Sequence, residues 1–182
     1  MNLETSARPR HVTFGAAVSL DGFLAGPGDE VDWLRWTAEV AGISAAYWTT
    51  IDTVVMGRRT WEAAARAGIR AYPGVRNIVC STTLATPPGP AVELAADGVA
   101  AVRALRDAPG KGICVMGGGR FGRALLDAGL VDEVGLNVHP VVLGDGLPLF
   151  PPGRRVALER LECRPLGEGC VLLRYAVAEG RE

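Results

Sequence analysis

The sequence predicts an α/β protein with a mixed, mostly parallel sheet of about eight strands, flanking helices and a C-terminal antiparallel hairpin. Short apolar runs alternate with helical segments along most of the chain, which favours right-handed crossovers between parallel strands. The last two strand-like runs are separated by Gly167-Glu168-Gly169, a turn typical of a hairpin. At 182 residues and 48% hydrophobic content, the chain suffices for the core of one domain.

In the first half of the chain, continuous apolar letters mark the strands, and apolar residues three and four apart mark the helices. Residues 1–10 have neither pattern and predict a flexible tail, so we expect a single domain over residues 11–182. The predicted elements are a strand at 11–20 before the Asp21-Gly22 turn, a helix at 32–50 on the spacing of Trp33, Leu34, Val40, Ile43 and Tyr47, a strand at 53–57 ended by Gly57, a helix at 58–67 stopped by Gly68, and a strand at 76–81.

The second half continues the alternation and then changes to strands alone. Its predicted elements are a short strand at 91–95, an Ala-rich helix at 98–108, an apolar strand at 112–116, a helix from the following glycine cluster to Ala128, a long strand at 132–144, and two hairpin strands near 155–164 and 169–178. The hairpin adds an antiparallel edge, which is why the sheet is predicted to be mixed.

Composition excludes several classes of partner. A net charge of −1 gives no basis for binding nucleic acid or an anionic membrane. No apolar run reaches about 18 residues and the N-terminal residues lack a signal-peptide core, so we expect a cytoplasmic protein. The four cysteines form no C-x-x-C pair and no cluster with histidine, so no metal site is predicted.

The stretch CVMGGGRFGRALL places three glycines between a strand and a helix. Gly117, Gly119 and Gly122 spell G-x-G-x-x-G, and the helix behind them offers free N–H groups to a phosphate. A tight turn without any ligand explains the glycines equally well. A Rossmann unit would also need an acid about 20 residues further on, at the end of the next strand. Here Asp132 and Glu133 stand at that strand's start, so only the phosphate interpretation survives.

Two other strand ends carry residues suited to an anion. In VVMGRRTWE, Gly57 ends a strand and Arg58, Arg59 and Thr60 open a helix, where cations gain nothing from the helix dipole. In RNIVCSTT, the hydroxyl residues at positions 81–83 follow another strand. A basic cap and a polar turn are the alternatives. Because parallel strands end at one edge of a sheet, we expect these groups and the glycine cluster to converge there.

Four motifs, in this order, resemble the dihydrofolate reductase superfamily: AAVSLDGFLAG, VVMGRRTWE, RNIVCSTT and VMGGGRFGRALL. The resemblance is greatest to the bacterial branch related to the C-terminal reductase domain of the bifunctional riboflavin-biosynthesis deaminase-reductase (RibD). The segment VDEVGLNVHPVVLGDGLPLFP also resembles that branch, and the likeness spans roughly residues 11–178. It implies the three-layer dihydrofolate reductase-like fold, with NADPH bound across the C-terminal ends of the strands.

The resemblance also implies which residues hold NADPH. Ala17 and Leu24 would flank the nicotinamide, and Arg58 would take the 2′-phosphate. The remaining implied cofactor residues are Gly57, Arg59 and Thr60 for phosphates, Ser81 and Thr82 beside the 2′-phosphate, Gly117, Gly118, Gly119, Arg120 and Phe121 along the pyrophosphate, and Gly144 and Asp145, with Gly146, in a nearby loop. An arginine with hydroxyl residues and no ribose acid favours NADPH over NADH.

The expected substrate half departs from the family. The acidic residue of folate reductases falls near Ala38, with Glu39 beside it, and Phe23 replaces the lysine of riboflavin-pathway reductases; their Asp-Pro pair is also missing. Asp21 and Glu39 are therefore the candidate catalytic carboxylates, although a turn Asp and a solvated helix Glu need no function. Trp33 would cover the substrate, and its alternative is a core aromatic.

The functional hypothesis is an NADPH-dependent reductase that transfers hydride to a small heterocyclic, carbonyl or imine substrate. The alternatives are a non-catalytic NADPH-binding or interaction module and the 5-amino-6-(5-phosphoribosylamino)uracil reductase of riboflavin biosynthesis. A small-molecule substrate is the expected partner. A homodimer is also expected, because the C-terminal hairpin would leave a sheet edge to cover.

Overall fold

The computed structural model describes residues 9–178 and contains an eight-stranded sheet. In chain order the strands are β1 (Val12–Ser19), β2 (Phe23–Ala25), β3 (Ile51–Gly57), β4 (Arg76–Cys80), β5 (Glu93–Ala95), β6 (Gly112–Met116), β7 (Glu133–His139), β8 (Leu147–Pro148), β9 (Leu158–Pro165) and β10 (Val171–Val177). The large sheet has the order β5-β4-β3-β6-β1-β7-β10-β9, while β2 and β8 form a separate antiparallel pair.

The strand directions are those that the sequence predicts. From β5 to β7 every neighbouring pair is parallel, and β10 runs antiparallel to both β7 and β9. A turn over Gly167–Gly169 joins β9 to β10, and Glu168 adopts the left-handed conformation there with φ of 59°. The predicted mixed sheet with a C-terminal antiparallel hairpin is therefore confirmed.

Four helices flank the sheet: α1 (Ala38–Trp48), α2 (Arg58–Arg66), α3 (Gly98–Asp107) and α4 (Gly119–Asp127). The prediction of a helix from residue 32 began six residues early. Thr37 stops the helix from extending backwards, because its backbone is extended and its hydroxyl accepts a hydrogen bond from the Val40 N–H. Residues 32–37 form a loop, and Trp33 and Leu34 lie in that loop although their spacing fits a helix.

The long strand predicted at 132–144 also ends earlier, at His139. Pro140 follows, and proline has no N–H group to donate to a neighbouring strand. Residues 141–146 instead form a loop that turns back over the β1–β2 connection, where the Leu20 N–H donates to the Val141 carbonyl at 2.8 Å.

Apolar side chains cover both faces of the central strands. One cluster joins Phe14, Val55 and Val115 to α3 and α4, and a second joins Val54, Met56 and Cys114 beneath Tyr47 and Trp48 of α1. Such burial on both faces is expected for parallel strands in a layered α/β fold. No helix within the described residues is long and apolar enough to cross a membrane.

The prediction of a flexible tail over residues 1–10 is wrong at Arg10. Residues 1–8 lie outside the described part of the chain, but Arg10 is only 7% exposed. Its guanidinium bonds the Asp52 carboxylate, the Thr53 hydroxyl at 2.8 Å and the Lys111 carbonyl at 2.6 Å. Arg10 is thus part of the folded domain, because its contacts tie the chain to β3 and to the start of β6.

Candidate functional site

A cleft of about 1300 Å³ lies along the C-terminal edge of the parallel strands. It is bounded by the ends of β1, β3, β4 and β6 and by the first turns of α2, α3 and α4. The predicted cofactor residues that line it are Ala17, Leu24, Gly57, Arg58, Arg59, Thr60, Ser81, Thr82, Gly117, Gly118, Gly119, Arg120 and Phe121. The convergence of the three predicted strand ends is therefore observed, because parallel strands bring them to one edge.

The glycine turn between β6 and α4 requires its glycines. Gly117 and Gly119 have φ of 83° and 61°, and a Cβ on Gly117 would collide with the Thr60 side chain. A Cβ on Gly118 would collide with Leu24 and lie 3.1 Å from the Leu149 carbonyl oxygen. The turn therefore packs its backbone directly against α2 and β2, which leaves the first turn of α4 at the cleft surface.

The N-terminus of α2 brings two arginines to the same cleft. Gly57 is its N-cap, and no side chain of the described residues caps it. Arg58 donates to the Thr83 hydroxyl at 2.9 Å and pairs with Glu62 at 3.0 Å, so its guanidinium lies beside the hydroxyls that follow β4. Arg59 pairs with Asp29 at 2.6 Å and so connects the start of α2 to the loop that follows β2.

The helices that begin at the cleft differ in how their first turns are satisfied. In α3 the Asp97 carboxylate accepts a hydrogen bond from the Ala100 N–H at 2.9 Å. For α2 and α4 the N-caps are Gly57 and Gly118, and no described side chain caps either helix. Free N–H groups and the positive end of the helix dipole suit an anion, so the first turns of α2 and α4 have the chemistry of an anion site.

Asp21 is not among the described residues that line the cleft. Its carboxylate accepts hydrogen bonds from the Ser19 hydroxyl at 2.7 Å, the Gly144 N–H at 2.8 Å and the Leu143 N–H at 3.1 Å. These bonds, the Ser19 hydroxyl first among them, lower the pKa of Asp21 to about 2. Asp21 thus holds the 141–146 loop against the β1–β2 turn.

Three other predicted residues also lie off the cleft as far as the described residues define it. Gly144 and Asp145 belong to the loop that Asp21 holds, and the Asp145 carboxylate accepts a hydrogen bond from Gly146 N–H at 2.7 Å. Glu39, in the first turn of α1, accepts one from Gly167 N–H at 2.8 Å and faces the β9–β10 turn. These contacts favour structural roles for the two carboxylates, because each satisfies a backbone donor.

Trp33 lies over His139 rather than in the cleft lining found among residues 9–178. The rings meet edge to face with centroids 5.2 Å apart, and the Trp33 indole N–H donates to the Glu30 carbonyl at 3.2 Å. His139 is 2% exposed, and its Nδ1 lies 3.6 Å from the Cys170 thiol. Burial, followed by the charge of Arg35, lowers the pKa of His139, so the imidazole is neutral near pH 7.

Several lining residues were not predicted from the sequence. Asp29 and Asp97 add polar groups, while Cys80, Met116, Leu147 and Pro148 add apolar walls. Thr83 also lines the cleft, as expected for the hydroxyl residues that follow β4. Asp97 opens a helix as an N-cap residue, a pattern that indicates structure rather than a ligand. Asp29, in the loop after β2, and Leu147, in β8, reach the cleft only through tertiary folding.

The model of the family described as "RibD C-terminal domain" matches residues 10–172. Among curated relatives, the uncharacterized protein YyaP of Bacillus subtilis is 27% identical over 95% of this chain and 98% of its own length. The uncharacterized protein YwjB of the same organism is 31% identical over 74% of this chain and 79% of its own.

Solved structures of low sequence identity share the fold. A putative riboflavin biosynthesis protein of Shewanella superposes with a TM-score of 0.80 at 23% identity, over 93% of this chain and 99% of that one. Enterococcus faecalis dihydrofolate reductase, complexed with NADP(H), superposes with a TM-score of 0.68 at 20% identity, over 93% of this chain and 97% of that one. The Thermotoga maritima bifunctional deaminase–reductase superposes with a TM-score of 0.69 at 16% identity, and the match covers 57% of that chain. The dihydrofolate reductase-like fold is therefore confirmed.

Proposed function

This chain belongs to the RibD C-terminal domain family, and from that membership we propose that it is a reductase that uses NADPH to reduce a small molecule. The observation that carries the proposal is the pair of helix N-termini, α2 and α4, that face one cleft without side-chain caps from the described residues. Together with Arg58 and Arg59, they form an environment for a dinucleotide with several phosphates.

In this proposal, the phosphates and the nicotinamide of the cofactor bind to different parts of the cleft. Arg58, the Thr83 hydroxyl that it contacts and the neighbouring Ser81 and Thr82 receive the 2′-phosphate, and the glycine turn with α4 receives the pyrophosphate. Ala17 and Leu24 then border the nicotinamide. NADPH supplies the hydride, while the protein holds the phosphates, orients the ring and excludes water.

The decisive experiment is a fluorescence titration with NADPH and with NADH, repeated on Arg58→Ala. Loss of a charge-assisted contact to the 2′-phosphate weakens NADPH about 10- to 100-fold and leaves NADH nearly unchanged. Arg103→Ala is the matched control, because Arg103 is an exposed arginine on α3 away from the cleft lining. Equal weakening of both cofactors would show the 2′-phosphate assignment to be wrong, and no saturable binding of either would refute the cofactor proposal.

A second candidate is a non-catalytic NADPH-binding or interaction module. It is favoured by the carboxylates of Asp21 and Glu39, which are both occupied with backbone N–H groups. NADPH oxidation across a panel of pterins, flavin precursors and 5-amino-6-(5-phosphoribosylamino)uracil separates the candidates. Turnover of any member supports a reductase, whereas tight cofactor binding without turnover supports the binding module.

We also propose that the protein forms a homodimer through β9. This strand is the outer edge of the described sheet, and it exposes Leu158 and Leu161 by 40% and 54%. An edge strand with exposed apolar side chains is a surface that a second copy can pair with or cover. Sedimentation velocity measures this directly, and Leu161→Glu should shift dimer to monomer; a wild-type protein that sediments only as a monomer contradicts the proposal.

A further inference from the structure

His139, the last residue of β7, has a buried imidazole that is not among the described residues lining the cleft. The ring lies beneath residues 31–37, which are the last part of the connection between β2 and α1. Trp33 covers the ring edge to face, and the Arg35 backbone N–H donates a hydrogen bond to its Nδ1 at 3.3 Å. Two residues of the 31–37 loop therefore contact the imidazole directly.

The hydrogen bond from Arg35 determines which nitrogen of His139 carries the proton. Because Nδ1 is the acceptor, the proton of the neutral ring is on Nε2, which is buried without a hydrogen-bond partner among residues 9–178. The Cys170 thiol, 3.6 Å from Nδ1, keeps its own proton because burial raises its pKa. A second proton on the ring must go to Nδ1. The acceptor then becomes a donor, and the bond from the Arg35 N–H is lost.

The surroundings of His139 do not stabilise a second proton. The charged groups on the segments around the ring are Arg35 and Asp32 in the loop, Glu39 in α1, Asp21 in the β1–β2 turn, Asp145 in the 141–146 loop and Glu168 in the β9–β10 turn. Within the described part of the chain none of these carboxylates forms an ion pair with the imidazole. Burial, and after it the positive charge of Arg35, lowers the pKa of His139 below its ordinary value of about 6.5.

Beyond its contacts with His139, the 31–37 loop is attached at few points by the hydrogen bonds of the described residues. The Arg35 guanidinium donates to the Glu168 carbonyl at 3.0 Å, in the β9–β10 turn. Three apolar side chains of the loop are exposed, namely those of Val31, Leu34 and Trp36. A segment with few buried contacts opens at a small cost in free energy, so the contacts with His139 are a large part of what keeps the loop docked.

We propose that His139 is a pH-sensitive latch, in which the neutral imidazole holds the 31–37 loop and protonation of Nδ1 on mild acidification releases it. In the released state the imidazole is hydrated and takes up a proton at its ordinary pKa. One proton is bound for each released loop, so the equilibrium constant for release rises about tenfold for each pH unit below about 6.5. Because Val31 lines the cleft, release alters one wall of the cleft, whichever ligand binds there.

The test is amide hydrogen exchange measured by NMR between pH 8 and pH 5 on the protein without ligand. The protection factor of the Arg35 amide, which corrects for the intrinsic pH dependence of exchange, should be constant above pH 7 and fall about tenfold per pH unit below about 6.5. The amide of Val55, in the middle of the sheet, reports global unfolding and should keep its protection.

The imidazole signals provide a second measurement on the wild-type protein. The signal of His139 should titrate below pH 6.5, whereas that of His11 should titrate above it, because a hydrogen bond with Glu133 raises the pKa of His11. His11→Gln is the matched control, since it removes the other histidine of the chain and identifies the two signals. This variant should retain the change at the Arg35 amide.

His139→Asn separates the latch from other effects of acid. Its amide oxygen can accept the Arg35 N–H in place of Nδ1 but takes up no proton, so Arg35 protection should be equal at pH 7 and pH 5. Constant Arg35 protection in wild type down to pH 5, equal loss at Val55, a His139 signal that titrates above pH 6.5, or a fall in protection that persists in folded His139→Asn would overturn the proposal. If His139→Asn does not fold, the wild-type measurements still decide. No cofactor is present, so failure of the cofactor proposal leaves these outcomes unaffected.

Discussion

Two regions at the same edge of the sheet differ in whether side chains accept hydrogen bonds from their backbone N–H groups. At the starts of α2 and α4, the N-caps are glycines and no described side chain caps the helix, so N–H groups face the cleft. At the β1–β2 turn and at the β9–β10 turn, carboxylates from Asp21 and Glu39 accept hydrogen bonds from backbone N–H groups. The backbone N–H groups of the first region have no side-chain acceptor among the described residues, whereas those of the second region donate to carboxylates of the protein itself.

The contrast teaches that an acidic residue near a cleft is informative only when its contacts are known. The Asp21 carboxylate, whose oxygens accept hydrogen bonds from the Ser19 hydroxyl and from backbone N–H groups, has a lowered pKa and is held in its charged form. Backbone donors at an uncapped helix start remain available until a ligand arrives. Substitutions in the two regions should therefore affect different properties, namely cofactor binding in one and stability in the other.

The largest expected effect is that of Gly117→Ala in the glycine turn. An alanine would need φ near 83° and would place its Cβ against Thr60, so the turn and the start of α2 must move apart. We expect NADPH affinity to fall about hundredfold, because phosphate contacts on both helix ends depend on this approach. Fluorescence titration with NADPH gives the affinity.

Gly129→Ala is the control for backbone strain. Gly129 has φ of 66° but a Cβ there meets no atom within 4 Å, so the substitution should cost about 1 kcal/mol of stability and leave NADPH affinity unchanged. If Gly117→Ala bound NADPH as tightly as this control, the glycine turn would not be a phosphate site and the contrast between the regions would fail.

An intermediate effect is expected for Asp21→Asn, in stability rather than in binding. The folded-state pKa of Asp21 is lowered from 3.8 to about 2, so its charge stabilises the fold above pH 4 and loses that effect as the pH falls toward 2. Thermal unfolding from pH 7 to pH 2 should show the variant less stable at pH 7, with a difference that shrinks below pH 4. A change in the pH profile of turnover at unchanged stability would instead make Asp21 a catalytic group.

The smallest expected effect is that of Glu39→Gln. The amide oxygen still accepts the hydrogen bond from Gly167 N–H, so the midpoint of unfolding and the NADPH affinity should both stay close to wild type. Steady-state kinetics with any substrate found in the panel provides the sharper readout. Loss of turnover with unchanged stability would place Glu39 in the catalytic machinery, and the carboxylates at the two turns would no longer differ from the cleft region in having a purely structural role.

The sequence predicted one half of the candidate site, namely the residues at the three strand ends, because its signals are local. Each signal is visible within ten residues: glycines that follow an apolar strand, arginines at a helix start, and hydroxyl residues after a third strand. A parallel sheet then brings them together without further information. The start of α1 was predicted too early because Trp33 and Leu34 continue a helical spacing, whereas the Thr37 cap fixes where the helix begins.

The other half depends on contacts between distant residues, which no local pattern encodes. Asp21 meets Gly144 across more than a hundred residues, and Glu39 meets Gly167 at a similar separation. The Oδ1 of Asn137 and the hydroxyl oxygen of Tyr47 are each buried without a hydrogen-bond partner among the described residues, and this burial exists only in the folded domain.

The position of β1 has a consequence for how the chain folds. It precedes the other described strands in the chain, yet its neighbours are β6 and β7, with Val12 paired to Ile113 and Thr13 to Glu133, about a hundred residues later. During synthesis on a ribosome, both edges of β1 stay unpaired until β6 and β7 have been made. Such long-range pairing slows folding and exposes an apolar strand to aggregation in the meantime. Refolding yield should therefore fall steeply with protein concentration.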